Sequence, residues 1–197
     1  MAAKMLSLHL YDRTDKWNRR WGYVGKDEPG VIYTGVAGYQ DIEDELRRIG
    51  GLGGRIDELW VHSHGAPGII AIPYSAPAIC LDASNVGNLA PVCQKAMAPS
   101  AKVFWTGCNV GEGPEGEAFL RAAGPAMLGK GGGVMLASTS RTDSIPYLGE
   151  WLPPWAQVRV AKVSPGGAVA ISTSAFAINW SNLTRLLRAT PIPLHVR

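Results

Sequence analysis

The chain has 197 residues, 46% of them hydrophobic, and a formal charge of only +3 at neutral pH. That length supports one substantial core, and so small a charge excludes the concentrated basic surface of a typical nucleic-acid binder. No run approaches the roughly 18 consecutive apolar residues of a membrane helix, so neither membrane insertion nor a cleaved amino-terminal signal is expected. Cys80, Cys93 and Cys108 are odd in number and have no paired spacing. They fit a reducing compartment better than a disulfide framework, and the expected location is the cytoplasm, or export without an amino-terminal signal.

Taken in chain order, Met5, Leu6, Leu8 and Leu10 mark a first strand over residues 4–11, followed by a polar loop to Gly30. In that loop Arg13, Lys16, Arg19 and Arg20 alternate with Trp17 and Trp21; Asp12, Asp15, Asp27 and Glu28 neutralise them nearby, so the tryptophans are expected to pack on the domain. Ile42, Leu46 and Ile49, with charged residues between them, define an amphipathic helix over 39–49, stopped by Gly50 and Gly51. A second strand runs to Val61, and residues 68–82 read as a hairpin. A helix from about 85 to 98, closed by Pro99, precedes the buried strand Val103-Phe104-Trp105. A helix over 115–128 and a strand over 134–137 repeat the unit. Irregular chain rich in Pro and Trp follows, then a hairpin around Pro165-Gly166-Gly167 and a last helix near 181–188. The alternation predicts an α/β three-layer sandwich, a mainly parallel central sheet flanked by helices, in a single domain spanning 1–197.

Two hydrophobic runs end in chemically capable dipeptides: the first reaches His64-Gly65 and the second Gly107-Cys108, 44 residues separating histidine from cysteine. Ligands of open α/β sheets bind beyond the carboxyl ends of the strands. Were the two strands neighbours, their tips would lie about 5 Å apart. A thiolate is the nucleophile and a nearby imidazole its proton partner. The glycines permit tight turns whose amides can stabilise an oxyanion.

This order, His-Gly first and Gly-Cys some 45 residues later, resembles the caspase-like (clan CD) cysteine peptidases. Within them, His62-Ser63-His64-Gly65 and Trp105-Thr106-Gly107-Cys108-Asn109-Val110 are most similar to a bacterial caspase-like domain known by its motifs rather than its activity, and Gly113 to Phe119 also look like it. The resemblance covers roughly residues 55–140. It implies a caspase-like fold, His64 as catalytic histidine, Cys108 as nucleophile, and the amides of Gly65 and Cys108 as oxyanion hole. It further implies endopeptidase activity on a protein or peptide substrate, without metal or organic cofactor, in a bacterial effector or regulatory protease. Caspases proper carry Gln-Ala-Cys where this chain has Thr106-Gly107-Cys108, so aspartate specificity is not implied. The first subsite of such peptidases is lined by residues after the next strand, here Ser138, Arg141 and Asp143, with Glu112 bordering the same edge. Arg141 would favour an acidic side chain and Asp143 a basic one, and Glu112 with Glu115 tilts the expectation toward basic.

Two other functions compete. A caspase-like module used for binding or assembly would share the fold, although both catalytic residues being present argues against it. A zinc-dependent hydrolase would use His62, His64 and a cysteine, but Cys80 and Cys93 lack ligand spacing and His9 and His195 are isolated in sequence. His62, inside its strand, is expected to be packed, and Cys80 and Cys93 to be small buried hydrophobes. The Gly129 to Gly133 run precedes a strand rather than opening a helix, which makes it a connector.

Overall fold

Side chains alternate across a strand, and along the central strands of this chain both sets are buried. The computed structural model describes residues 6–19, 29–73, 80–141, 143–145, 149–151 and 157–174. In chain order these form β1 (Ser7–Asp12), β2 (Val31–Val36), α1 (Tyr39–Gly51), β3 (Ile56–His62), β4 (His64–Ala66), β5 (Ile69–Ala71), a 3₁₀ turn (Val86–Leu89) leading into α2 (Ala90–Ala96), and β6 (Met97–Trp105). Then follow α3 (Gly113–Leu128), β7 (Gly133–Ser138), β8 (Asp143–Ile145), β9 (Gly149–Trp151), β10 (Val158–Val163) and β11 (Val169–Ser174). Seven strands make one sheet in the order β11-β10-β7-β6-β3-β1-β2. The five from β7 to β2 are parallel and β10 and β11 run antiparallel at one edge.

One face of this sheet carries Leu8, Leu10, Leu59, Val61, Val103, Trp105, Met135 and Ala137 into a single cluster with Ile42, Leu46 and Ile49 of α1, Val92 and Cys93 of α2, and Phe119, Leu120 and Ala123 of α3. The helices pack on one another as well as on this face. The opposite face holds Trp60, Phe104, Val134, Leu136 and Val158, also buried. Register explains that second cluster: Tyr33, His9, Trp60, Phe104 and Leu136 stand side by side across five strands. Their rings stack, with centroids 4.5 Å apart for His9 and Tyr33, 5.4 Å for His9 and Trp60, and 3.9 Å for Trp60 and Phe104. With both faces buried, the sheet is the middle layer of an α/β sandwich, as the sequence predicts.

Four boundaries differ from expectation. β2 occupies residues 31–36, which the sequence left unassigned; this edge strand is only half-buried along most of its length, so it lacks a core strand's apolar run. The hairpin starts at His64 rather than 68: β4 pairs β5, with Pro67 and Gly68 at the corner and Gly68 at φ 70°. Pro99 does not close a helix. The chain is already extended at Met97 (ψ 137°), so 97–99 begin β6, where pairing to β3 is irregular and a missing N–H disturbs little. Residues 143–145 and 149–151, read as irregular, form a short ladder of their own. The helix expected near 181–188, and Arg20, Trp21 and His195, lie outside the described residues.

Candidate active site

The chain runs from β1 outward to β2, then returns across β1 to β3 and onward to β6 and β7. That reversal makes the carboxyl ends of β1 and β3 the topological switch point, where α/β sheets place their ligands. His64 follows β3 and Cys108 follows β6, and these two strands are parallel neighbours with Val61 opposite Trp105. The tips are cross-linked: Thr106 donates its backbone N–H (3.2 Å) and its hydroxyl (2.9 Å) to the carbonyl of Val61.

Beyond the strands, the two dipeptides press backbone to backbone. A Cβ on Gly65 would lie 2.7 Å from the carbonyl oxygen of Cys108 and 2.6 Å from Val110, and one on Gly107 would lie 3.0 Å from the carbonyl oxygen of His64 and 3.2 Å from the Cα of Gly65. Side chains at either position would hold the histidine and cysteine loops apart. Gly65→Ala is therefore expected to cost about 1–3 kcal/mol through overpacking against immovable backbone. A fall of several degrees in the melting midpoint would register it, whereas Gly51→Ala, whose methyl meets open space, is expected to leave that midpoint nearly unchanged.

The hairpin also sets the Gly65 amide. Ile70 exchanges both backbone hydrogen bonds with Leu81, at 2.8 and 3.0 Å, so its polar groups face away from β4. Antiparallel alternation then directs the N–H and C=O of its partner Gly65 away from β5, which leaves that amide to the side of the hairpin opposite β5. On the other loop, Asn109 takes a left-handed φ of 59° and donates its N–H to the Ser140 carbonyl at 3.0 Å, while Gly111 donates to the Ser138 carbonyl at 2.7 Å. Gly68 donates to the Val110 carbonyl at 3.0 Å. The Cys108 loop is thus held between the hairpin and the segment after β7, and α3 starts directly behind it.

His64 is partly exposed, at 39%, and its Nε2 lies 3.6 Å from Oδ2 of Asp15, a carboxylate only 9% exposed. The sequence does not point to Asp15; it reads as one of several acids offsetting a basic loop. Its carboxylate instead turns inward, where Oδ2 accepts the backbone N–H groups of Trp17 (2.9 Å) and Asn18 (2.8 Å). The only available signal was the Asp-x-x-Asn spacing of a capped turn. Trp17, expected to pack on the domain, is 55% exposed, with the Lys16 ammonium 5.8 Å from its ring centre.

The remaining sequence candidates separate. His62 is buried as expected: its Nε2 lies 2.9 Å from His9 Nδ1 and its Nδ1 3.3 Å from the Thr106 hydroxyl, while His9 Nε2 lies 3.1 Å from the Ser7 hydroxyl. Burial pushes the His62 imidazole down to about 3. His9 is lowered by burial and then by the charge of His62. Cys80 and Cys93 are buried, and burial raises the Cys93 thiol to about 12, which suits a hydrophobe rather than a nucleophile. Ser138 is fully buried and its hydroxyl donates back to the Ser140 carbonyl at 2.8 Å, so its side chain shapes the loop from inside. Glu112 and Arg141 are exposed on the two segments bracketing Cys108, and Asp143 opens β8. Among the described residues no three His, Cys, Asp or Glu side chains converge as a metal site, and no helix is long and apolar enough to cross a membrane. A cavity of about 200 Å³, lined by Arg55, Cys93, Met97, Lys130 and others, lies at the amino ends of the strands, away from His64 and Cys108.

Fold and site together define an α/β sandwich with an imidazole at the switch point and a thiol on the adjoining strand tip. No family model matches the chain, and neither the curated proteins nor the solved structures include a significant match.

Proposed function

We propose that this chain is a cysteine endopeptidase of caspase-like type, with Cys108 as nucleophile and His64 as its acid and base. The observation that carries the reading is the backbone contact between His64-Gly65 and Gly107-Cys108 at the carboxyl ends of neighbouring parallel strands. Close approaches at glycine serve packing elsewhere in the fold, as at Gly116 and Gly133; here the two loops they bring together carry an imidazole and a thiol.

In this reaction the Cys108 thiolate attacks the scissile carbonyl carbon: the C–S bond forms and the carbonyl π pair moves to oxygen. The amides of Gly65 and Cys108 receive that oxyanion, each donor contributing on the order of 3 kcal/mol to the transition state. As the intermediate collapses, the C–N bond breaks and the departing amine takes its proton from the His64 imidazolium. His64 then removes a proton from water, whose oxygen displaces the Cys108 sulfur from the thioester. Exposed Glu112, with Glu115 one turn into α3, supports a preference for a basic side chain beside the scissile bond, and exposed Arg141 opposes it.

The test is intact-protein mass spectrometry after exposure to peptide chloromethylketones ending in Arg, Lys, Asp or Leu. One adduct, formed by the wild-type protein and not by Cys108→Ala, is the expected result, fastest with a basic terminus. A folded protein that reacts with none of them would instead favour a binding or assembly module.

A further inference from the structure

We infer that Asp15 is the positioning residue for His64, extending the Cys108–His64 pair into a three-residue relay; this rests on the peptidase reading. β1 lies beside β3 in the sheet, with Tyr11 opposite His62, so the loop leaving β1 emerges next to the histidine loop at the switch point. There the Asp15 carboxylate faces Nε2 of His64 at 3.6 Å, a charge–charge contact rather than a formed hydrogen bond. Such contacts tighten when substrate closes a site.

The carboxylate is held for this task. Two backbone N–H groups bind the same oxygen that faces the imidazole, and the Asp15 carbonyl accepts the N–H of Arg19 at 3.0 Å, which closes the turn around it. Two described cations on that loop point elsewhere: Arg13 pairs with Asp41 at 3.0 Å and Lys16 sits over Trp17. The Asp15 carboxylate faces the histidine from the loop after β1, and Cys108 lies on the loop whose backbone touches His64-Gly65. In the proposed relay Asp15 takes the Nε2 side, and Nδ1 exchanges a proton with Cys108 and with the leaving amine. The carboxylate thus selects the tautomer as well as the orientation.

Nitrogen-15 NMR of His64 tests this without turnover, using Cys108→Ala protein to remove the thiolate. The neutral form is expected to carry its proton on Nε2, and adding Asp15→Asn is expected to lower that Nε2–H fraction toward the balance of a free imidazole. In the presence of Cys108, Asp15→Asn is expected to reduce kcat/KM about 10- to 100-fold with KM little changed. A proton on Nδ1 in the neutral ring, or a tautomer ratio unmoved by Asp15→Asn, would overturn the inference. If Asp15→Asn does not fold, Asp15→Ser, which retains a capping oxygen for Trp17 and Asn18, provides the same comparison. Lack of labelling by every chloromethylketone would instead count against the peptidase reading, which separates the two failures.

Discussion

Cys108→Ala is expected to lower peptide hydrolysis by on the order of 10⁴-fold or more, with folding unaffected. The sulfur supplies the only covalent route in the proposed reaction, and its methyl replacement is smaller than the site it vacates. At about 1.4 kcal/mol per tenfold, that loss is on the order of 5–6 kcal/mol of transition-state stabilisation. His64→Ala is expected to be nearly as damaging, and the double substitution little worse than either single one, because the two residues act as a unit. His62→Gln is expected to retain far more activity, since His62 is buried against His9 and Thr106 rather than presented at the strand tip. Steady-state kinetics on the peptide identified by labelling ranks the four proteins. A His62 variant less active than the His64 variant would assign the chemistry to the wrong imidazole.

The second large effect is a loss of stability in acid. Ser7, His9, His62 and Thr106 line up so that one direction of donation satisfies every neutral group: Ser7 hydroxyl to His9 Nε2, His9 Nδ1–H to His62 Nε2, His62 Nδ1–H to Thr106, and Thr106 to the Val61 carbonyl. A proton added to either ring places a charge on a buried side chain, and protons on both rings set donor against donor between them. The folded pKa of His62, about 3, lies below the ordinary 6.5, and that of His9 is lowered as well. Below pH 6.5 the unfolded chain therefore binds protons that the folded chain refuses. Stability is complete above that pH and falls as pH drops toward 3, at about 1.4 kcal/mol per pH unit for His62, with His9 acting in the same direction. His62 alone is expected to remove about 2 kcal/mol between pH 7 and pH 5. Urea unfolding across that interval should show the decline, and His62→Gln should flatten the slope by about one proton. Equal slopes in the two proteins would show that other groups govern the acid limb.

Much of the fold is readable along the chain because its cues are local. Ile42, Leu46 and Ile49 fall on one helical stripe, Val103-Phe104-Trp105 is apolar on both faces as a central parallel strand must be, and Pro165-Gly166-Gly167 can only turn. His64-Gly65 and Gly107-Cys108 are equally visible, since each closes a hydrophobic run. The boundary at Pro99 misleads because proline ends helices and also tolerates an irregular strand start, and only the pairing with β3 decides between the two. β2 is hidden because an edge strand needs no continuous apolar run.

What the sequence determined by itself, then, is the alternation of strands and helices and the two dipeptides that end them, because periodicity and glycine placement act between near neighbours. Strand order was decided only in three dimensions. Placing β1 between β2 and β3 brings Asp15 to His64 across 49 residues, sets His9 against His62, and lets the carbonyls of His64 and Cys108 approach positions where only glycine fits. Each is a contact between segments remote in sequence, fixed by which strands share an edge, and no local pattern encodes that choice.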